Sequence, residues 1–181
     1  MSAPAVIDPF AEVQAQTRRH RADHHCGAYT YQAGSLLGFV AAAVDATQIV
    51  EVGTALGYTA LWLAHGSSRA HVWTIEMDPM HVQLARQNFD AADVGHRVKV
   101  LEGLAEDLVS GLERGGFDLA FFDGFEPSLS LFASLRELLR PGGVLVAGNL
   151  TLAVDDVAHE LDDQRRWLTH SLGETGLCVK R

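Results

Sequence analysis

Short apolar runs, each closed by glycine or an acidic residue, recur along the chain and alternate with stretches of helical periodicity. The first run is residues 48–52, Gln-Ile-Val-Glu-Val, closed by Gly53. Residues 71–75 follow, ending on Glu76, then 97–101, 117–123 and 144–147. These five runs predict strands. Between them, apolar residues fall at helical spacing: Val82, Ala85 and Phe89 after the second strand, and Leu129, Phe132, Leu135 and Leu139 after the fourth. Asp78-Pro79 marks a helix start, with Asp as N-cap and Pro at the first helical position. Helices are also predicted from Tyr58 to about His65, over about 105–112, and from about Pro127 to a stop at Pro141-Gly142-Gly143.

Two further helices precede the first strand. Residues 8–23 place Phe10, Val13 and Thr17 on one side, and residues 32–44 carry Leu36, Leu37, Phe39, Val40 and Val44. After the fifth strand come a short helix over 154–161 and two strands, 167–171 and 177–180, joined by a hairpin connection at 172–176. Five strand–helix units in succession, with mostly apolar strands, predict an α/β fold. Its mostly parallel sheet is covered by helices on both faces, and the crossovers are right-handed. The terminal pair adds an antiparallel hairpin and makes the sheet seven-stranded. The reading is a single domain over residues 1–181, with the N-terminal helices of 1–45 placed to cover a pocket.

Composition narrows the function. The chain has 181 residues, 48% of them hydrophobic, which is enough for one domain with a real core. The formal net charge of −9 argues against nucleic acid as a partner. The basic cluster Arg18-Arg19-His20-Arg21 reads as a solvated helix face. No apolar run reaches membrane-spanning length, and the N-terminus lacks the pattern of a secretory signal, so no membrane association is expected. Cys26 and Cys178 form neither a disulfide framework nor a zinc pattern. A cytoplasmic setting follows as the default.

Ligands of such a sheet bind beyond the carboxyl ends of the strands. The stretch Val52-Gly-Thr-Ala-Leu-Gly-Tyr-Thr59 is there, a glycine turn that opens a helix. Glycines let the backbone approach a ligand, and the helix N-terminus offers unpaired N–H groups. Taken alone, such a turn also serves simply to join strand and helix. Its G-x-x-x-G spacing departs from the dinucleotide fingerprint, which speaks against a nicotinamide oxidoreductase. Glu51, Glu76 and Asp123 converge on the same end. An acid at Glu76, ending the second strand, can accept hydrogen bonds from a ribose. The crevice therefore suits a cationic cofactor that carries a ribose.

Residues 49–64, Thr74-Ile-Glu-Met-Asp-Pro79, Phe117-Asp-Leu-Ala-Phe-Phe-Asp123 and residues 139–149 resemble the class I S-adenosylmethionine-dependent methyltransferases. They are most similar to the catechol and caffeoyl-CoA O-methyltransferases. The resemblance runs from about Thr30 to the last hairpin, Gly173–Arg181. It implies a Rossmann-like methyltransferase fold that binds S-adenosylmethionine and acts on a small-molecule hydroxyl. On matching positions, Glu51, Gly53, Tyr58 and Thr59 surround the methionine part of the cofactor. Glu76 holds the ribose and Met77 lies against the adenine. Ala105 and Glu106 address the adenine amino edge, and Phe125 packs near the ring. Asp123 faces the methionine amino group and the reacting centre, and is the catalytic candidate. A homodimer fits both the resemblance and the apolar second helix.

The family also uses a divalent cation, held by an Asp after strand four and an Asp-Asn pair after strand five. Here Asp123 and Asn149 are present, but Gly148 occupies the middle position, and a family Lys that assists proton removal falls on Glu126. Two readings follow. Either the cation is lost, so that no residue is assigned as a metal ligand, or Glu126 replaces the missing carboxylate; the first is favoured. His24 and His25 offer a general base if the N-terminal segment folds over the pocket, although an exposed pair at a helix end is the simpler reading. His65, His71, His81, His96, His159 and His170 receive no role. The altered metal site also keeps open a protein that binds the cofactor and has lost catalysis.

Overall fold

A computed structural model of the chain describes residues 7–124, 127–149 and 155–181. The elements run α1 (Ala11–His24), α2 (Gly34–Ala43), β1 (Gln48–Val52), α3 (Tyr58–Gly66), β2 (His71–Glu76), α4 (Pro79–Ala91) and β3 (Val98–Glu102). They continue with α5 (Ala105–Leu108), β4 (Phe117–Phe122), α6 (Leu129–Leu138), β5 (Leu139–Ala147), α7 (Asp155–Asp162), β6 (Trp167–Leu172) and β7 (Thr175–Lys180). The seven strands form one sheet in the order β3-β2-β1-β4-β5-β7-β6. β1 to β5 pair in parallel, and β7 joins antiparallel to both β5 and β6. This is the expected α/β fold with its terminal hairpin, and no helix among the described residues is long and apolar enough to cross a membrane.

β1 lies in the middle of the parallel part, with β2 on one side and β4 on the other. The chain moves outward from β1 to β3, then crosses back to place β4 against β1. That reversal opens a crevice at the carboxyl ends of β1 and β4. Side chains alternate along β1: Ile49 joins the core packed with α2, α3 and α4, whereas Val50 and Val52 join the core packed with α6 and α7. Alternation puts Glu51 on the Ile49 face, so a carboxyl enters an otherwise apolar layer.

Local signals set the helix starts. Asp78 caps α4, its Oδ1 accepting from the N–H groups of Met80 at 2.8 Å and His81 at 3.4 Å. The Ser128 hydroxyl accepts from the Leu131 N–H at 3.2 Å and starts α6. Three boundaries differ from the sequence reading. The helix expected over 105–112 is α5 followed by a 3-10 turn at Val109–Gly111. β5 begins at Leu139, because Leu139 pairs with Phe117 before Pro141-Gly142-Gly143 shifts the register; the strand absorbs as a bulge what reads as a helix stop. The final hairpin closes on two residues, Leu172 pairing with Thr175 and Gly173 adopting φ 61°.

Gly57 joins the turn after β1 to α3 at φ 95°, and a Cβ there would stand 2.5 Å from the Phe89 ring. Gly57→Ala therefore adds backbone strain to overpacking. Its expected cost is about 2–4 kcal/mol, read as a lower midpoint in urea unfolding.

Candidate functional site

After Val52 the chain turns through Gly53 (φ 95°), Thr54, Ala55 (φ 46°) and Leu56 before Gly57 opens α3. A Cβ on Gly53 would lie 2.9 Å from the carbonyl oxygen of Asp123, so only glycine lets this turn run against the end of β4. A cleft of about 1070 Å³ opens beside the turn. Gly53, Glu76, Met77 and Asp123 line it at the strand ends, Tyr58 and Thr59 line it from the first turn of α3, and Ala105 and Glu106 line it at the start of α5. Eight of the predicted cofactor residues are thus gathered around one cavity.

Glu76 is the most strongly organised of them. Its Oε2 accepts from the Ala55 N–H at 2.8 Å, and its Oε1 accepts from the N–H groups of Met77 and Asp78 at 3.0 Å each. Burial alone would raise this carboxyl. The neighbouring His81 and hydrogen bonds from the Asp78 and Ala55 backbone outweigh it and hold the group below its ordinary value. Glu76 is therefore a carboxylate fixed at the cleft wall. His81, on α4, faces it with Nδ1 3.7 Å from Oε1. The nearby Glu76 carboxylate drives His81 up to about 9 against the opposing effect of burial.

Glu51 lies elsewhere. It is fully buried and does not line the cleft. Thr74 donates its hydroxyl to Oε2 at 2.5 Å, and Oε1 has no hydrogen-bond partner. Burial pushes its carboxyl up to about 7, against hydrogen bonds from Thr59 and Thr74. Because Thr59 does line the cleft, Glu51 stands one side chain behind the wall.

Asp123 follows the end of β4. Asn149 donates Nδ2–H to its Oδ1 at 2.6 Å, and burial pushes the carboxyl up to about 7. Gly148 lies directly beside the pair: a Cβ there would meet Asp123 Oδ1 at 3.0 Å and the Phe122 carbonyl oxygen at 3.2 Å. Tyr58 is engaged elsewhere, its hydroxyl donating to Asp8 Oδ2 at 2.8 Å. Met77 is 67% exposed, at the rim. Phe125 and Glu126 lie outside the described residues. His24 and His25 are exposed, and neither lines the cleft.

Two contributors are not singled out by the sequence reading. Tyr31, in the connection between α1 and α2, lines the cleft and shares a 2.7 Å hydrogen bond with the Thr175 hydroxyl on β7. His81 receives no role from the sequence, as one of several histidines scattered at strand or helix ends; the fold brings it to Glu76. An acid ending β2 and a His in the first turn of the next helix are the pattern that could have found it.

Comparison with known proteins identifies the family. Residues 50–150 match the family model described as a methyltransferase domain, more than half of the chain. Over 125 residues the chain is 36% identical to the catechol O-methyltransferase of Mycobacterium tuberculosis, covering 68% of this chain and 57% of that protein. The chain spans 57% to 65% of the length of the curated relatives it matches. Its fold is similar to that of an O-methyltransferase from Bacillus cereus in complex with SAH, at a TM-score of 0.81 and 24% identity over 97% of this chain and 94% of that one. It is equally similar to the O-methyltransferase TomG of Streptomyces achromogenes, involved in tomaymycin synthesis and solved with SAM: TM-score 0.81, 24% identity, 93% of this chain and 89% of that one. The matched region starts in β1 and runs past β5, so it takes in the glycine turn, Glu76, Asp123 and Asn149; the chain belongs to the methyltransferase-domain family.

Proposed function

We propose that this chain binds S-adenosylmethionine in the cleft and methylates a hydroxyl of a small molecule, without the divalent cation used by related enzymes. The observation that carries this reading is Glu76: an ionised acid, anchored by three backbone N–H groups beside a glycine turn, and able to accept from ribose hydroxyls. Gly53, where an added Cβ would meet the Asp123 carbonyl, lets the turn close against the end of β4 beside the cleft. An acidic wall and the buried Glu51 behind it suit a cationic ligand. The residues present therefore fit the cofactor.

When bound, the cofactor supplies an electrophilic methyl group on a sulfonium sulfur. Glu76 fixes the ribose. Tyr31, Leu104 and Leu131 line the remaining cleft and help to keep water from the reacting groups. Asp123 accepts the acceptor's hydroxyl proton as the oxygen forms its bond to carbon, because a carboxyl raised to about 7 is a useful base near neutral pH. Holding the two reactants in line supplies much of the acceleration.

The cation of related enzymes does not fit as well. Gly148 offers no side-chain ligand, and the space a side chain would enter is already closed by Asp123. Asp123 and Asn149 bond to each other, which uses an oxygen that a cation would need. Hence no step is assigned to a metal.

Calorimetry with S-adenosylhomocysteine, in Mg²⁺ and again in EDTA, tests the reading. The expected result is one site per chain with the same affinity in both. No binding in either medium would end it. Binding that requires Mg²⁺ would overturn the metal-free part and make Glu126 the first residue to mutate. A screen of catechols, phenols and other small hydroxyl compounds then separates an enzyme from a protein that only binds the cofactor. One turned-over acceptor establishes the enzyme.

A further inference from the structure

His81 is 5% exposed, and its Nε2 is buried with no hydrogen-bond partner. A buried polar atom without a partner is costly, so what faces it matters. Asp78 Oδ2 stands 3.8 Å from that nitrogen, beyond hydrogen-bond reach. On the other side come His20, from the last turn but one of α1, and Cys26, just past the helix end. One donor atom from each of His20, Cys26 and His81 falls within 4.8 Å of the others, the only such group of His, Cys, Asp and Glu among the described residues. The His20 and His81 rings meet edge to face with centroids 5.2 Å apart.

We propose that His20, Cys26 and His81 form a transition-metal site, selective for Zn²⁺, that clamps the end of α1 onto α4 beside the cofactor cleft. Two imidazoles and a thiolate are a borderline-soft donor set that zinc favours over Mg²⁺ or Ca²⁺. Bonds of about 2.0–2.3 Å in a tetrahedron put donors about 3.3–3.8 Å apart, so the three side chains close by roughly 1 Å on binding. The ion takes the unpartnered Nε2 of His81, while Nδ1 keeps its carboxylate neighbour Glu76 at 3.7 Å. A ligating His backed by a carboxylate is the usual way such a ring is oriented. Asp78 Oδ2 or a water completes the fourth position. Cys26 also lines a second cavity of about 600 Å³ with Arg18, Arg21 and His25.

The site is distinct from the family's cation position, which falls on Asp123 and Asn149, since it uses none of those residues. Its consequence is mechanical. Thr17 on α1 and Gly27 and Tyr29 beyond it line the cleft, so fixing His20 and Cys26 to α4 fixes that wall. The link also reaches Glu76 through one ring.

The test uses the full chain after treatment with chelator, titrated with Co²⁺ and then Zn²⁺ under reducing conditions. The expected result is one Co²⁺ per chain, a cysteinate-to-cobalt charge-transfer band, and its loss when Zn²⁺ is added. Cys26→Ser removes the band. Cys178→Ser, at a fully buried cysteine on β7, retains it. His20→Ala and His81→Ala weaken Zn²⁺ binding by at least the ~10–100-fold that loss of an outer-shell partner costs. Zn²⁺ raises the Tm of the unaltered chain and leaves that of Cys26→Ser unchanged, which keeps the test decisive should a His variant fold poorly. Absence of stoichiometric Co²⁺ binding, or a band that survives Cys26→Ser, overturns the site. Neither readout involves the cofactor, so failure here is separable from failure of the methyl-transfer reading.

Discussion

Glu76→Ala lowers the affinity for S-adenosylhomocysteine by about 100-fold or more, read by calorimetry. A hydrogen bond to a charged group contributes about 1.5–3 kcal/mol, and a ribose presents two hydroxyls to this one carboxylate. The substitution also strips acceptors from the N–H groups of Ala55, Met77 and Asp78, so the glycine turn loses its anchor to β2. His81 loses the partner that raises it. The two effects separate by comparison with Glu76→Gln. The amide keeps one acceptor oxygen of similar shape, so the turn stays anchored in part and affinity falls less. Linkage gives a second check. Glu76 is held below its ordinary value, so its contribution to stability is present above the unfolded pKa and lost as pH falls through the lower folded one. His81 is raised to about 9, so its contribution is full below its unfolded value near 6.5 and lost as pH rises through about 9. The pair therefore adds most between the two carboxylate and imidazole limits, and Glu76→Ala flattens both flanks of the stability profile. Unchanged affinity in Glu76→Ala would remove the ribose role and with it the main support for the cofactor.

Much of this site is legible from residue order, because a parallel sheet sends its ligand-binding residues to the strand ends. Each strand end is marked by a change from apolar to acidic or glycine, so Gly53, Glu76 and Asp123 can be picked out without coordinates. The Asp78-Pro79 start of α4 is legible for the same local reason, a side-chain cap within three residues of the N–H groups it serves. What is not legible depends on contacts far apart in the chain. Tyr31 reaches Thr175 across the whole sequence, and His20 reaches His81 from another helix. Neither pair has a spacing that a motif could carry. Glu51 misleads in a different way. Its place just before the glycine turn suggests a cleft residue, yet the strand's alternation turns it into the α3-side core, behind Thr59. Position along the strand is set by sequence; the face is set by parity, and parity here puts the acid beneath the wall. The bulge in β5 is similar: Pro-Gly-Gly ends a helix pattern, but pairing of Leu139 with Phe117 lets a strand begin before it.

Asp123→Asn lowers kcat by about 100- to 10,000-fold with the acceptor that a screen identifies, a far larger loss than it causes in binding of S-adenosylhomocysteine. The amide retains an oxygen for the Asn149 Nδ2–H that now meets Oδ1 at 2.6 Å, so the strand ends stay in place. What it cannot do is take a proton. Burial pushes Asp123 up to about 7, which makes it half-ionised near neutral pH in the free protein. The rate in the unaltered protein therefore rises as pH rises through about 7, and the variant loses that limb along with the rate. Stability moves the other way. A carboxyl whose folded pKa lies above its unfolded one contributes stability below the unfolded value, and that contribution is lost as pH rises through about 7. The ligand-free Asp123→Asn protein is accordingly more stable than its parent at pH 8, by an amount on the order of 3 kcal/mol. A gain in stability joined to a loss in rate is what a base held in an unfavourable environment gives, and a merely structural acid gives the reverse. Glu51 is also raised to about 7, so it is the competing source of any titration there. Glu51→Gln removes that group without replacing a residue that lines the cleft. If the pH limb persists in Glu51→Gln and vanishes in Asp123→Asn, the proton goes to Asp123. If the limb follows Glu51 instead, or if Asp123→Asn turns over at the parent rate, the proton leaves by another route and Asp123 is no more than the partner of Asn149.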